Sequence, residues 1–435
     1  MRPSHVTPNR RTFLKTAGAG LSTLLAASSY RALAGVSPND RIVMGFIGLG
    51  GMGTGRLKEF MRHDDVVVGG LCDVDQKHLA NAAGEVEKTR ETQPPCFGDF
   101  RRLLDLKELD AVMIATPDHW HALTTITACG AGKDVFVEKP LCHNIAEGRA
   151  MVKAVLDNQR ITQLGTHIHN TSGNYRRVVE MVRSGNLGKI TRVHCWKTSS
   201  TSSGLGRPAD CDPPAELDYN FWLGPAPKRT YNPNRSHFHF RYFWDYSGGV
   251  FIDFWCHITD VAYWALDLPD PVSVMATGAR RFLNDNTETP DCLEVLYEYP
   301  AFSMVWTLDP NPPAFAHMGG IGCLFQGTKA TLVTNYDRHE IWVDGKKQDD
   351  FPRPDPSIPD SPGHIREFLN SIKSREKTTC NVEYAHRLTK GGHLGNIAFR
   401  TGQRIYWDSE QEQIKNDSTA NRLVSRHYRR PWRLA

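Results

Sequence analysis

The feature that most constrains this chain is a glycine-rich turn that directly follows a short apolar run. Residues 41–48 read Arg-Ile-Val-Met-Gly-Phe-Ile-Gly, which is typical of a strand buried on both faces. Residues 48–53, Gly-Leu-Gly-Gly-Met-Gly, then match the pattern G-x-G-x-x-G, and a helical pattern begins at Thr54. A strand, a glycine turn and a helix in this order predict a dinucleotide-binding βαβ unit.

Each residue of this turn has a mechanical role in such a unit. Gly48 permits the tight turn, Gly50 lets the main chain approach a pyrophosphate, and Gly53 lets the helix pack closely against the strand. Gly51 and Met52 complete the loop at the start of the helix, where the helix dipole favours an anion. We therefore expect the whole turn to bind the cofactor.

A carboxylate follows the next strand. Residues 66–71 form a second apolar run, and Asp73 lies 20 residues beyond Gly53. At that position a carboxylate accepts hydrogen bonds from the adenosine ribose hydroxyls, whereas its charge repels a 2′-phosphate. The sequence therefore predicts NAD rather than NADP as the cofactor.

Strands and helices continue to alternate to about residue 170. Apolar runs and helical patterns follow one another at 110–115, 120–131, 134–138, 145–158 and 161–165. This alternation predicts a doubly wound parallel sheet, which we assign to an NAD-binding Rossmann domain at residues 35–170. Ligands bind at the carboxyl ends of such strands. The residues predicted at these ends are Thr116, Pro117, Glu138, Lys139, Pro140 and His167, and His121 of the following helix is assigned to the cofactor site as well.

Beyond Thr171 the pattern changes to strands joined mainly by short turns. Strand-like runs lie at 190–198, 272–281, 292–299, 303–308, 322–326, 330–335 and 340–343. They predict a second α/β domain at residues 171–435 with a large, open, mostly antiparallel sheet. One helix, Val250–Leu266, follows Gly248-Gly249 and carries Asp253 and His257 on one face.

The first 34 residues are predicted to be a targeting signal. Residues 9–15, Asn-Arg-Arg-Thr-Phe-Leu-Lys, place a twin arginine before an apolar run, and Ala32-Leu33-Ala34 is a cleavage pattern. The apolar run is shorter than the about 20 residues that span a bilayer, which favours cleavage after Ala34 over an uncleaved anchor. The segment resembles a twin-arginine (Tat) signal. We therefore expect the Tat translocase to export the folded protein, for example to the periplasm.

Charge and cysteine content exclude other classes of protein. The net charge is +4, but the first 34 residues hold five basic residues and no acid, so the remainder carries −1. This gives no support for nucleic-acid binding. The arginine-rich residues 422–433 predict a solvated or interface-capping tail, with an anion site as the alternative. The ten cysteines are scattered without a C-x-x-C motif, and we expect most of them to be reduced and buried.

Together these motifs resemble those of the glucose-fructose oxidoreductase/inositol dehydrogenase (Gfo/Idh/MocA) family. The resemblance runs from about Arg41 to Trp407. It rests on Gly48–Gly53, Asp73, Glu138-Lys139-Pro140, Leu187-Gly188-Lys189-Ile190, Gly248-Gly249 with Asp253 and His257, and Asn381–Arg387. It implies a Rossmann domain and a second domain whose sheet covers the nicotinamide and often pairs two copies into an oligomer. It also implies hydride transfer between NAD(P) and a hydroxyl carbon of a sugar or polyol.

The resemblance assigns the reacting groups. Lys139 would hold the reacting hydroxyl, with a Lys139-Pro140 bond that is usually cis in the family. Asp253 and His257 match the carboxylate and imidazole beside the substrate, and His167 is assigned to the same site. An imidazole that takes a proton near neutral pH suits alcohol oxidation, and a lysine ammonium stabilises a developing alkoxide.

We therefore expect an exported NAD-dependent oxidoreductase that acts on a carbohydrate or polyol and holds its nucleotide tightly. The alternative is a glycoside hydrolase or lyase that works by transient oxidation, although glycosidases of the family lack the lysine of Glu-Lys-Pro. A zinc hydrolase is a further alternative, since His119/His121, His167/His169 and His237/His239 have the spacing of metal ligands. No H-E-x-x-H pattern accompanies these pairs, and we expect no metal. The intact Lys139 and His257 disfavour a non-catalytic binding protein.

Overall fold

The structure is a computed structural model that describes residues 40–171, 173–199, 204–310, 316–415 and 417–434. The predicted targeting signal, residues 1–34, lies outside the described residues. Within them, no helix combines the length and the apolar character needed to cross a membrane.

Six parallel strands form the first sheet, as the alternating pattern predicts. In chain order they are β1 Ile42–Ile47, β2 Val66–Cys72, β3 Cys96–Phe97, β4 Ala111–Ile114, β5 Asp134–Val137 and β6 Thr162–Leu164. Their order in the sheet is β3-β2-β1-β4-β5-β6, so the chain winds outward from β1 in both directions. The winding reverses between β1 and β4, which is where ligands bind in such folds.

Five helices accompany this sheet: α1 Gly51–Met61, α2 Gln76–Arg90, α3 Phe100–Leu104, α4 Asp118–Gly130 and α5 Ile145–Asp157. The sequence pattern does not predict α2. This helix is mostly polar and buries only Leu79, Ala82 and Val86, so its apolar stripe is narrow. Its start is determined by Asp75, whose carboxylate accepts hydrogen bonds from two main-chain N–H groups of the first turn.

Ten strands form the second sheet. They are β7 Ile190–Thr198, β8 Ser273–Ala279, β9 Cys292–Glu298, β10 Ser303–Asp309, β11 Ile321–Gly327, β12 Thr331–Thr334, β13 His339–Val343, β14 Lys346–Lys347, β15 Ile405–Asp408 and β16 Gln413–Ile414. Their order is β14-β13-β12-β11-β7-β10-β9-β8-β15-β16. Only the pair β7 and β10 is parallel among these neighbours, so the sheet is mostly antiparallel, as predicted.

The remaining helices are α6 Ile168–Thr171, α7 Gly173–Arg183, α8 Tyr219–Leu223, α9 Gly249–Ile258, α10 Asp260–Leu266, α11 His364–Ser374, α12 Val382–Thr401 and α13 Ser418–Asn421. The single helix predicted at Val250–Leu266 is divided into α9 and α10 at Thr259. The Thr259 hydroxyl donates to the Trp255 carbonyl at 2.7 Å, a contact that bends helices. Asp253 and His257 remain one turn apart on α9.

The C-terminal arm, residues 422–434, returns to the first domain. Arg426 lies 2.8 Å from the fully buried carboxylate of Glu147 on α5, and it donates to the His119 carbonyl at 2.7 Å. Arg429 donates to the main chain of Asn220 at 2.7 Å. These two arginines of the predicted solvated or interface-capping tail are therefore bound within the molecule, Arg426 at the buried Glu147 and Arg429 at the exposed Asn220.

The cysteines are distributed over both domains. All ten are free thiols, and seven of them are buried. Cys195 and Cys323 are paired across β7 and β11, but their sulfurs lie 3.5 Å apart, farther than a disulfide bond. Most of the cysteines therefore pack as small apolar side chains, as the sequence predicts.

Candidate active site

A cavity of about 510 Å³ follows the carboxyl ends of β1, β2, β4 and β5. One side is formed by the glycine turn and the strand ends, and the other by residues 221–241 of the second domain. The predicted residues that line it are Gly48, Gly50, Gly51, Met52, Asp73, Thr116, Pro117, Glu138 and Lys139. The predicted residues outside this lining are Gly53, His121, Pro140, His167, Asp253 and His257. The carboxyl ends of the strands thus bring most of the predicted cofactor residues to one surface.

The glycine turn leaves its main chain open to the cavity. Gly48 has a φ of +82°, and a Cβ there would lie 2.7 Å from the Ala115 carbonyl carbon. A Cβ at Gly53 would lie 1.8 Å from the Gly48 oxygen, so α1 can approach β1 only with glycine at this position. At Gly51, by contrast, nothing lies within 4 Å of such a Cβ. The turn therefore fits a pyrophosphate at the N-terminus of α1.

Asp73 follows β2 with 9% of its surface exposed. Its carboxylate accepts hydrogen bonds from the main-chain N–H groups of Leu49 at 2.5 Å and Asp75 at 2.8 Å. Burial raises the pKa of Asp73 against the opposing effect of these hydrogen bonds. Each carboxylate oxygen keeps a lone pair for a ribose hydroxyl, so Asp73 fits the predicted adenosine site.

Lys139 and Asp253 join the two domains at the other end of the cavity. The Lys139 Nζ lies 2.5 Å from the Asp253 carboxylate. Arg241, which lines the cavity, approaches the second carboxylate oxygen at 3.3 Å. Burial opposes ionisation of Asp253, but the charges of Lys139 and Arg241 hold its pKa below the usual range. The ionised carboxylate therefore orients the lysine ammonium.

His257 lies one turn after Asp253 on α9. Burial and the charge of Lys139 lower the pKa of His257 to about 3, not the near-neutral value that the sequence analysis expects. Its Nδ1 is buried and has no hydrogen-bond partner among the described residues. The ring of His167 is a neighbour, with the two ring centroids 5.3 Å apart. His257 is thus a neutral imidazole near pH 7, and its unprotonated ring nitrogen can accept a proton.

His121 lies on α4 behind the loops that form the cavity. Its two ring nitrogens are 2.7 Å from the Pro140 carbonyl oxygen and 2.8 Å from the Thr116 carbonyl oxygen. It therefore ties the end of β4 to the Lys139-Pro140 bond, which is cis as the resemblance implies. A cofactor role for His121 stays a prediction, and the geometry favours positioning over contact.

Sequence reasoning missed four polar residues at this site, namely Arg56, His78, His237 and Arg241. Arg241 reaches Asp253 from a short 3-10 helix, His239–Tyr242, that carries no recognisable motif. His237 attracted notice only as half of a pair with His239, spaced like metal ligands. These contacts arise from tertiary structure, so no local pattern could have identified them.

Two groups among the described residues have the composition of a metal site. They are Asp75, His78 and His237, and His169, Asp260 and Cys380. In the second group Asp260 already binds the Thr166 hydroxyl at 2.8 Å and lies 3.1 Å from His169. Neither group combines both members of a predicted histidine pair, so the pairing by sequence spacing does not define a zinc site.

Comparison with known protein families decides the assignment. Residues 42–166 match the NAD-binding Rossmann fold of the Gfo/Idh/MocA oxidoreductase family, and residues 176–434 match its C-terminal alpha/beta domain. The chain belongs to the Gfo/Idh/MocA family. Its N-terminal domain therefore binds NAD.

Several curated relatives of this Gfo/Idh/MocA protein have names of glycoside hydrolases. A glycosyl hydrolase family 109 protein of Shewanella pealeana is 32% identical over 202 residues, 42% of this chain and 44% of the relative. An alpha-N-acetylgalactosaminidase of Shewanella oneidensis is 28% identical over 207 residues, with the same coverage. The match spans less than half the length of either relative.

Solved structures with the same fold include dehydrogenases. The WlbA dehydrogenase of Bordetella pertussis, in complex with NADH and UDP-GlcNAcA, matches with a TM-score of 0.61 at 18% identity and covers 85% of this chain and 99% of that one. A levoglucosan dehydrogenase in complex with NADH and L-sorbose matches with a TM-score of 0.60 at 16% identity, over 84% and 98%. At these identities the likeness shows the fold.

Proposed function

We propose that this protein transfers hydride between NAD and a hydroxyl-bearing carbon of a carbohydrate or polyol. The observation that carries the proposal is the contact of Lys139 with Asp253, at 2.5 Å, at the end of the nucleotide cavity. The ammonium lines the cavity and is held by a carboxylate of the other domain, which supports binding of a substrate hydroxyl beside it. Two dehydrogenases with the same fold, solved with UDP-GlcNAcA and with L-sorbose, support the substrate class.

Lys139 supplies the positive charge in this reaction. When NAD is bound, its nicotinamide supplies the acceptor or donor of the hydride. The Lys139 ammonium donates a hydrogen bond to the reacting oxygen and stabilises the negative charge that develops there. Asp253 keeps the ammonium in place, since the two groups are largely buried and lie in hydrogen-bond contact.

His257 receives the hydroxyl proton in the proposed oxidation. A base whose pKa is about 3 is weak, but a hydroxyl becomes strongly acidic as hydride leaves its carbon, because the product is a protonated carbonyl. The same low pKa makes the imidazolium a strong acid that returns its proton readily. His257 therefore suits a reaction that runs in both directions within one cycle.

A closed hydride cycle requires a retained nucleotide. Outside the cytoplasm free NAD should be scarce, so an exported enzyme that released its nucleotide would stop after one turnover. With association near 10⁶ M⁻¹s⁻¹, a Kd of about 1 nM implies loss in roughly a quarter of an hour, and about 1 pM implies retention for days. We therefore propose that the hydride returns to a sugar within the same site.

The second candidate function is cleavage of a glycosidic bond by transient oxidation, which the names of the curated relatives favour. In that reaction a sugar hydroxyl is oxidised to a ketone, the neighbouring C–H becomes acidic, and the glycosidic oxygen leaves by elimination. Water adds to the resulting double bond, and the hydride returns to the ketone. Lys139 and His257 would serve the first and last steps.

One experiment separates these functions. The full chain is purified, and the nucleotide bound to one sample is released and measured. In a second sample, with its nucleotide still bound, nicotinamide absorbance is followed while free sugars or aryl glycosides are added without external NAD. Reduction of bound NAD by free sugars supports the oxidoreductase, whereas release of the aryl group without net reduction supports the glycosidase. Protein that responds to neither class, with or without added NAD, contradicts both.

Export and self-association are separate proposals. Residues 1–34 fused to a reporter should reach the periplasm only in cells with a working Tat translocase. Association through the second sheet is supported by the exposed apolar side chains Val272, Met275 and Tyr406 at 48%, 40% and 48% exposure. Light scattering of the purified chain would measure the oligomeric state, and a monomeric protein would contradict the proposed self-association.

A further inference from the structure

The outer wall of the nucleotide cavity is a segment of the second domain, residues 216–241, here called the strap. Its first residues pair with the loop after β2. The N–H of Gln76 donates to the Glu216 carbonyl and the N–H of Asp218 donates to the Val74 carbonyl, each at 3.0 Å. The strap is also anchored by an apolar cluster of Leu217, Tyr219, Trp222, Leu223, Ala226, Phe240, Phe243 and Tyr246. It is therefore a packed wall beside Asp73, the predicted adenosine end of the cavity.

The last five residues of the strap extend along the cavity. His237, Phe238, Phe240 and Arg241 all contribute to its lining. Near Asp73, the His237 Nε2 lies 2.9 Å from a carboxylate oxygen of Asp75, and its ring centroid is 4.5 Å from that of His78. At the other end Arg241 reaches Asp253. One short stretch thus contacts polar residues at both ends of the space for the nucleotide.

We propose that His237 is a nucleotide-binding residue that, with Asp75 and His78, forms the outer half of the adenosine-ribose site and retains NAD. Asp73 provides only acceptors on the inner side, whereas ribose hydroxyls both donate and accept hydrogen bonds. On the outer side, His78 can supply an N–H donor, while His237, whose Nε2–H donates to Asp75, presents its Nδ1 as an acceptor. The contact of His237 with Asp75 ties the strap to the loop after β2, and we expect it to slow the exit of a nucleotide held between the strap and the glycine turn. Retention of NAD would serve the closed hydride cycle, so this part of the inference rests on the proposed function.

A direct contact between His237 and Asp75 fits the group Asp75, His78 and His237 better than a bound metal ion does. The ligand atoms of Asp75, His78 and His237 lie within 4.8 Å of one another, which is compatible with a cation. However, one carboxylate oxygen of Asp75 already accepts two main-chain N–H groups at the start of α2, at 2.8 and 3.0 Å. The other oxygen is engaged by His237. The carboxylate therefore has little capacity left for a metal.

The test measures the release of NAD from the loaded full chain. Dissociation is followed after dilution into an NAD-trapping enzyme, for wild type, His237→Ala, His237→Gln and the matched control His239→Ala. His239 lies two residues along the same strap and does not line the cavity. We expect His237→Ala to release NAD about tenfold faster, the effect of losing a hydrogen bond and its closing contact. We expect His237→Gln, whose amide can still donate, to recover most of the retention, and His239→Ala to match wild type.

Several outcomes would overturn the inference. One is a His237→Ala protein that retains NAD as well as wild type, and another is equal loss in His239→Ala. Faster release from wild type after EDTA would assign retention to a metal instead. If His237→Ala does not fold, Asp75→Asn keeps the cap of α2 but weakens the pairing with His237, and it should also accelerate release. Turnover of His237→Ala should be restored by saturating NAD. If the wild type retains NAD but transforms no carbohydrate, the proposed function is refuted and the inference about His237 is not.

Discussion

The Nε atom of Arg56 on α1 lies 2.6 Å from a carboxylate oxygen of Glu138, the residue before Lys139. Both side chains are buried, with 9% and 3% exposure. Arg56 also contacts Glu59 at 2.7 Å. The pair therefore connects α1, at the proposed pyrophosphate site, to the end of β5, which carries Lys139. This contact fixes the position of the Lys139 ammonium relative to the proposed cofactor site.

Removing the arginine from this pair should be more damaging than neutralising the glutamate. We expect Arg56→Met to lower the free energy of unfolding by about 3–5 kcal/mol, because Glu138 keeps a buried charge without its partner. Glu138→Gln keeps an acceptor for Nε and should cost only about 1–2 kcal/mol. Urea unfolding of both variants measures the difference. Equal stability of Arg56→Met and wild type would show that the pair contributes nothing to the fold.

Substitution of Lys139 should separate chemistry from cofactor binding. We expect Lys139→Met to keep its fold and bound nucleotide but to lose about 10² or more in turnover, the scale of removing one preorganised stabiliser of negative charge. Stopped-flow absorbance of the nicotinamide measures the rate. Lys153→Met is the matched control, because Lys153 is exposed on α5 and forms an ion pair with the exposed Asp157, away from the cavity lining. A Lys139→Met rate close to wild type would remove Lys139 from the mechanism.

Asp73 should control the choice between NAD and NADP. In Asp73→Asn the amide oxygen can still accept one main-chain N–H, but the negative charge is gone. We expect weaker binding of NAD and a smaller preference for NAD over NADP, since the ribose loses an acceptor and a 2′-phosphate is no longer repelled. Calorimetric titration of the apoprotein with both nucleotides checks this. Unchanged affinity for both would make Asp73 a structural residue of the loop after β2.

The sequence predicted the parts of this site that depend on local order. The glycine turn, Asp73 and Lys139 follow buried strands, and the parallel sheet brings strand ends together whatever the loops do. The contacts of Arg241 with Asp253 and of His237 with Asp75 join segments far apart in the chain, with no periodicity or motif to mark them. Burial is equally non-local: the pKa of His257 depends on how deeply α9 is packed, which no spacing of residues reveals.

The low pKa of His257 predicts the pH dependence of the reaction. Burial and Lys139 disfavour the imidazolium, so His257 is unprotonated throughout pH 5–8 and protonates only as the pH approaches about 3. We expect a flat rate of hydride transfer between pH 5 and 8, and a loss of about 10²–10⁴ in His257→Asn across that range. Single-turnover rates at several pH values measure both. An inflection near the ordinary histidine pKa in wild type, absent from His257→Asn, would contradict the buried neutral base.

Buried neutral histidines should also make the protein unstable in acid. The pKa is lowered to about 3 or 4, with burial as the largest cause, in His119, His194, His257, His364 and His393. Between an unfolded pKa of about 6.5 and these values, the unfolded chain binds protons that the native chain does not. The stability that these neutral histidines contribute is therefore fully present above about pH 6.5 and decreases as the pH falls below that value.

These five groups act in the same direction, so the free energy of unfolding should decrease as the pH falls from 7 to 5. Urea unfolding at pH 7, 6 and 5 measures the slope. His364 tests the cause, because its Nε2 is buried without a hydrogen-bond partner among the described residues and its ring lies 5.7 Å from that of Phe136. We expect His364→Phe to reduce the slope of the free energy of unfolding against pH by the contribution of one imidazole. The control His427→Phe changes an exposed residue and should leave this slope unchanged. Equal slopes in His364→Phe and wild type would show that the imidazole is protonated in the native chain.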